Sequence, residues 1–137
     1  LNTEAIDILL IHSNGNDLDI IDHSDAVETL IEIKEKGLAR NIGMSTYSPQ
    51  GTLAASEFSD VIMATLNLED SSNLGAIKKA HNKGCGILLK KVFSSGKCDI
   101  KESLEFVFKH EAIHSAVIGT INKTHLVENV NLVSKFS

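Results

Sequence analysis

The sequence predicts a parallel α/β fold, and three observations carry that expectation. Five short apolar runs, Ile6–His12, Asn41–Thr46, Val61–Asn67, Cys85–Lys91 and Ala116–Ile121, are each followed by a stretch with helical patterning. The runs are nearly continuous rather than alternating, as strands buried on both faces are. Successive runs begin roughly 20–35 residues apart, the length of a strand plus a crossover helix. Polar or ionisable residues close the runs: His12, Ser45 with Thr46, Asn67, Lys90 with Lys91, and Thr120 with Asn122. In parallel α/β proteins that end of the strands is where ligands bind.

The helices between the runs have recognisable ends. Asp25-Ala26-Val27-Glu28 reads as a capping box, with Asp25 at the N-cap and Glu28 reaching back. That helix presents Val27, Leu30, Ile31 and Ile33 to the core and stops at Gly37. Ser48-Pro49 places an N-cap before a proline at the first helical position, where no hydrogen bond is lost. Leu74, Ile77 and Ala80 form the apolar stripe of the next helix, which ends at Gly84. Asp99 with Glu102 opens a fourth, with Leu104, Val107 and Phe108 inward, and a last helix runs from about Asn122 to Val130. Asn14 to Asp19 is expected to be an acidic loop without EF-hand spacing. The strand–helix unit thus repeats through the chain as one domain. Either an open doubly wound sheet or part of a (β/α)8 barrel satisfies that order. A whole barrel takes about 250 residues, so this chain supplies a little over half of one.

Composition narrows the function classes. The chain has 137 residues, 42% of them hydrophobic, a formal net charge of -5 and a pI near 5.6. No dense basic cluster tracks a phosphate backbone, which argues against nucleic acid. The apolar runs are too short to span a bilayer, which argues against a membrane partner. Two cysteines, Cys85 and Cys98, lack CxxC spacing, and the expectation is a reduced cytoplasmic protein. The chain begins with Leu1 rather than Met, so a missing upstream part is expected. Nothing in the sequence fixes an oligomeric state.

Several motifs bear on chemistry. No GxGxxG is present, and Ser95-Gly96-Lys97 lacks the other elements of a Walker A loop. Val117-Ile118-Gly119-Thr120-Ile121-Asn122-Lys123 reads as a strand, a glycine turn and a helix start, an arrangement that suits a phosphate. His110-Glu111-Ala112-Ile113-His114 fits H-E-x-x-H, the zinc hydrolase signature. That motif needs one continuous helix to put both histidines on one face. Here a strand follows almost at once, so no metal is expected, and these histidines are read as groups at a helix end.

In order and spacing, these segments resemble the aldo-keto reductase family over nearly the entire chain. Asp7-Ile8-Leu9-Leu10-Ile11-His12 looks like the family's strand that ends in its active-site histidine. Lys34-Glu35-Lys36-Gly37-Leu38-Ala39-Arg40 followed by Asn41-Ile42-Gly43-Met44-Ser45 looks like its next helix–strand landmark. Asp60-Val61-Ile62 with Leu66-Asn67, and Val117 to Thr120 with His125-Leu126-Val127-Glu128-Asn129, match its later segments. The resemblance implies a partial (β/α)8 TIM barrel made of the C-terminal five βα units, strands 4–8. It further implies an oxidoreductase that uses NADP, with NAD possible, to reduce a small-molecule aldehyde or ketone.

By position His12 takes the family's histidine role. The Asp, Tyr and Lys that complete the catalytic set come from earlier strands in the family. Tyr47, the chain's one tyrosine, does not match the proton donor, so this chain by itself is expected to be inactive. The resemblance places Ser45 and Thr46 at the nicotinamide carboxamide and Met63 where the family has glutamine. Leu66 and Lys90 stand where aromatics are common. Gly119, Thr120 and Asn122 fall at the pyrophosphate end, and Glu128 with Asn129 at the adenine. His125 replaces an arginine that reads the 2′-phosphate, and Lys123 offers a substitute. These departures leave a second reading, a degenerate non-catalytic barrel fragment acting as a binding or interaction module.

Overall fold

The computed structural model describes residues 3–135, and all structural statements concern these. Five strands, β1 (Ile6–His12), β2 (Ala39–Ser45), β3 (Val61–Thr65), β4 (Gly86–Lys90) and β5 (Ser115–Ala116), form one sheet. Six α-helices, α1 (Asp17–His23), α2 (Ala26–Glu35), α3 (Pro49–Ala55), α4 (Leu74–Asn82), α5 (Ile100–Phe108) and α6 (Lys123–Val133), accompany them, with a short 3-10 turn at Ser94–Gly96. Every strand pair is parallel. Spatial order follows chain order from β1 to β5. A doubly wound sheet reverses its strand order at a switch point. The absence of a reversal makes this sheet an arc of a (β/α)8 barrel and settles the choice between the two parallel folds.

Burial shows which side the helices cover. In β3 and β4 exposure alternates along the strand, with Ile62, Ala64, Ile87 and Leu89 fully buried. These pack with Leu66, Ala55, Ile77, Ala80, Leu104 and Val107 in the main core. The intervening Met63, Leu88 and Lys90 face the other, concave side and stay partly open. A smaller cluster of Leu30, Ala39 and Ile42 lies under α2, joined by Leu9, Ile11 and Ile33.

Most sequence-derived helix ends stand. The Ser48 hydroxyl accepts from Gly51 N at 3.0 Å, and the Asp99 carboxylate accepts from Glu102 N at 2.9 Å. Four expectations need correction. Asn14 to Asp19 is not all loop: α1 begins at Asp17, because that carboxylate is drawn into the fold rather than hydrated. Asp25 precedes α2 but makes no side-chain cap bond, since its φ of -82° and ψ of 6° leave the extended geometry capping needs. Ile31, placed in the core by periodicity, is 38% exposed. The assigned last strand is confined to Ser115–Ala116; Val117 N still donates to Leu89 O at 2.8 Å, and residues 118–121 lead off outside the strand.

Candidate active site on the concave rim

Sheet register builds one row across the concave face. His12 pairs with Ser45, Ser45 with Met63, and Met63 with Leu88. Partners in a parallel ladder share a face, so His12, Ser45 and Met63 lie side by side. Lys90, paired with Thr65, stands one step nearer the strand ends. Four of the residues singled out from sequence are therefore brought together: His12, Ser45, Met63 and Lys90. The His12 side is open to solvent, whereas Ser45 is 3% exposed.

Lys90 is the most constrained member of the group. Its Nζ donates to Ser45 Oγ at 3.0 Å and sits 3.8 Å from the centre of the Tyr47 ring. Lys91 Nζ approaches the same ring at 4.8 Å. Burial lowers the Lys90 pKa below that of an ordinary lysine; the Lys91 charge adds to this, and Asp17 opposes it. Tyr47, which sequence reasoning set aside, is thus a platform for two ammonium groups.

Asp17 fixes that platform. Its carboxylate accepts from Tyr47 N at 3.0 Å, from Ser48 N at 2.7 Å and from the Ser48 hydroxyl at 2.7 Å. Burial works to raise the Asp17 pKa, but hydrogen bonds from Ser13, Ser48 and Tyr47 outweigh it and hold the carboxyl below its usual range. Thr46 is not on the concave side. Its hydroxyl is buried and shares a 2.7 Å hydrogen bond with Thr52, which donates to Asn73 Oδ1 at 3.0 Å. Asn67 closes its strand as a loop brace, donating to Lys91 O and accepting from Glu69 N and Asp70 N.

A second concavity, of about 460 Å³, is lined by Lys91, Phe93, Ser95, Gly96, Val117, Ile118 and Gly119. One wall is the turn after β4, where Lys91, Ser94 and Ser95 hold positive φ values of 57°, 46° and 60°. Non-glycine residues in that region are strained, and such strain collects at ligand sites. The other wall leads to the start of α6. There Thr120 Oγ1 accepts from Asn122 N at 3.1 Å, and Asn122 Oδ1 caps Thr124 N at 2.9 Å. His125 and Glu128 are exposed on α6, whereas Asn129 is buried and lines a separate groove with Phe108, Ala116 and Ile118. The Ser95-Gly96 part of the wall escaped sequence reasoning, which tested it only against Walker A; the adjacent Ser-Ser-Gly turn signal was the available clue.

The H-E-x-x-H segment does not form a zinc helix. Helix α5 ends at Phe108, and His110 to Ala112 run through a turn. His114 Nδ1 accepts from Ile87 N at 3.0 Å, which occupies one of its two possible ligand atoms.

No family model and no curated protein matches this sequence. Solved structures do. A Pseudomonas aeruginosa protein assigned to the aldo-keto reductases, PA4992, superposes with a TM-score of 0.93 at 37% identity, over 98% of this chain and 52% of that one. The holo form of aldo-keto reductase AKR11C1 from Bacillus halodurans gives 0.82 at 17% identity, over 96% of this chain and 56% of that one. A glycerol dehydrogenase, AKR11B4 from Gluconobacter oxydans, gives 0.64 at 12% identity, over 98% of this chain and 60% of that one. The last two speak for the fold alone. The chain spans about half the length of the structures it matches. The 37% identity to PA4992 over nearly all of this chain makes the chain similar to about half of an aldo-keto reductase, and its parallel strands in chain order match part of that family's barrel.

Proposed function

We propose that the protein carrying this chain reduces small aldehydes or ketones with a nicotinamide dinucleotide, NADP in the first place and NAD as the alternative. The single observation that carries this reading is the row His12–Ser45–Met63, with Lys90 beside it, on one concave face. When bound, the dinucleotide supplies the hydride. His12 is open on that face, and an imidazole N–H there orients and polarises a carbonyl oxygen. Ser45 presents a hydroxyl that accepts from Lys90 and keeps its own proton to donate to a carboxamide oxygen. Met63 offers only an apolar wall.

The residues fit a dinucleotide at its other end too. The concavity beside Lys91, Ser95, Gly96 and Gly119 opens near the start of α6, an eleven-residue helix whose N-terminal dipole favours anions. In this reading Thr120 and Asn122 shape the turn, and Lys123 and His125 meet a 2′-phosphate. Glu128 flanks the adenine; Asn129, being buried, shapes the helix rather than touching the base. In this reading Tyr47 serves as a cation platform and not as the proton donor. Both cysteines are free, which fits the reducing conditions of a cytoplasmic enzyme.

A second reading, a non-catalytic binding module, is favoured by one specific observation. Met63 and the inward-turned Thr46 remove two polar partners for a carboxamide. One experiment addresses both readings. The full-length protein is assayed for NADPH consumption against a panel of aldehydes and ketones, alongside His12→Ala. Turnover with at least one carbonyl is expected, falling about 100-fold or more in the variant. Nucleotide binding without turnover on any member supports the module, and absence of both overturns the reading.

A further inference from the structure

We propose that Lys90 makes the site discriminate between redox states of the dinucleotide. Its ammonium, held between Ser45 Oγ and the Tyr47 ring, disfavours the cationic oxidised nicotinamide and leaves the neutral reduced one unaffected. The inference rests on the reading that places the nicotinamide at Ser45. It adds that the site is biased toward accepting reduced nucleotide and releasing oxidised nucleotide.

The geometry is restrictive. Lys90 Nζ lies 3.0 Å from Ser45 Oγ, so any group hydrogen-bonded to that oxygen comes within about 6 Å of the ammonium. The ring attached to such a carboxamide cannot leave this neighbourhood. Lys91 Nζ, 4.8 Å from the centre of the same Tyr47 ring, adds a second positive charge. The one buried carboxylate nearby, Asp17, is already engaged by Tyr47 N and by Ser48, and offsets the two cations only in part. The phosphates and the adenosine carry the same charge in both redox forms, so their contributions cancel in the ratio of affinities. What remains is the nicotinamide charge against Lys90 and Lys91. At such separations a like-charge contact in a partly screened site is worth about tenfold in affinity.

An aromatic side chain in the place of Lys90 would act oppositely, because a π face attracts the oxidised ring. Lys90 therefore changes the sign of the local preference, which no change of size alone would do. The Tyr47 platform matters because it holds the ammonium on the concave side instead of letting it extend into solvent.

The test measures dissociation constants for NADPH and for NADP+ on the full-length protein and on Lys90→Met, Lys90→Gln and Lys90→Arg. The wild type is expected to bind NADPH about tenfold more tightly than NADP+. Lys90→Met brings the two within about threefold, chiefly by tightening NADP+, and Lys90→Arg keeps the preference. Lys90→Gln, which retains a donor for Ser45, must behave as Lys90→Met does and serves in its place should the methionine variant misfold. Equal affinities in the wild type, or an unchanged ratio in the neutral variants, overturn the inference while leaving nicotinamide binding intact. Failure of folded wild type to bind either nucleotide overturns the functional reading itself, and this inference with it.

Discussion

Asp17 shows how one carboxylate ties the rim to the fold. It is 2% exposed, yet three of its contacts come from Tyr47 and Ser48, at the turn that leads into α3. Hydrogen bonds to the ionised form depress its pKa in the folded chain. The unfolded chain binds the proton more readily, so this stabilisation is present above about pH 4 and is lost as pH falls through the lower, folded value. Asp17→Asn should therefore lower stability by about 1–3 kcal/mol at neutral pH and flatten the acid limb of the profile. Urea melts from neutral to acid pH check both parts; an unchanged acid limb would show that Asp17 does not carry this linkage. Thr52 makes a parallel case on the helix side. Thr52→Val leaves the Thr46 hydroxyl and the Asn73 carbonyl buried without this partner. A loss of about 1–3 kcal/mol is expected, with Thr52→Ser close to wild type.

At the scale of elements, glycine marks where backbones meet. A Cβ on Gly43 would collide with Val61 O, the carbonyl of its ladder partner. No side-chain rotation relieves a clash with backbone, so Gly43→Ala must spread β2 from β3 and with it the Ser45–Met63 register. A destabilisation of about 3 kcal/mol or more is expected, read from thermal or urea melts. Gly51→Ala, by contrast, meets the Asp17 side chain and should act through the Tyr47 turn. Much of this layer was legible in the chain itself. Continuous apolar runs located β1 to β4, and the polar residues closing them include His12, Ser45 and Lys90, which the sheet brings to one rim; strand ends are where ligands bind in parallel folds. Thr46 misled because adjacent strand residues point to opposite faces, so one of any consecutive pair must leave the site. Helix α1 was hidden because its acidic start looks like a solvated loop; only the contact with Tyr47 and Ser48, thirty or more positions away, shows that Asp17 is turned inward. The short β5 was overestimated because Val117 to Ile121 are apolar in sequence yet largely exposed, with Val117 at 54%. Periodicity reports what a segment can bury, and the partner that would bury it lies elsewhere.

At the largest scale the described residues form an arc with two open edges. β1 pairs only with β2, and β5 only with β4, among the described residues. Free strand edges offer rows of unpaired backbone groups to another chain. The concave side adds apolar surface: Ile8 is 40% exposed, and Leu10, Met63 and Leu88 are partly open. In a closed barrel such inward residues stack in layers and exclude water. In this 137-residue chain taken alone they meet solvent. The convex side is different, because the helices cover it and fully buried Ile62, Ile77, Ile87 and Leu104 hold it together. Secondary structure should therefore persist while the concave side drives association. The 137-residue chain is expected to elute from a sizing column above its monomer mass, in a concentration-dependent way, and to bind an apolar dye. Ile8→Lys places a charge on both the open edge and the concave side, where it should raise the monomer share without reducing helix content. A sharp, cooperative melt of a clean monomer with no dye binding would mean that the concave side is sealed by packing this arc does not show. The same experiment bears on the rim chemistry. His12 stands on the edge strand itself, so whatever pairs with β1 sets how closely a reacting group can approach its imidazole.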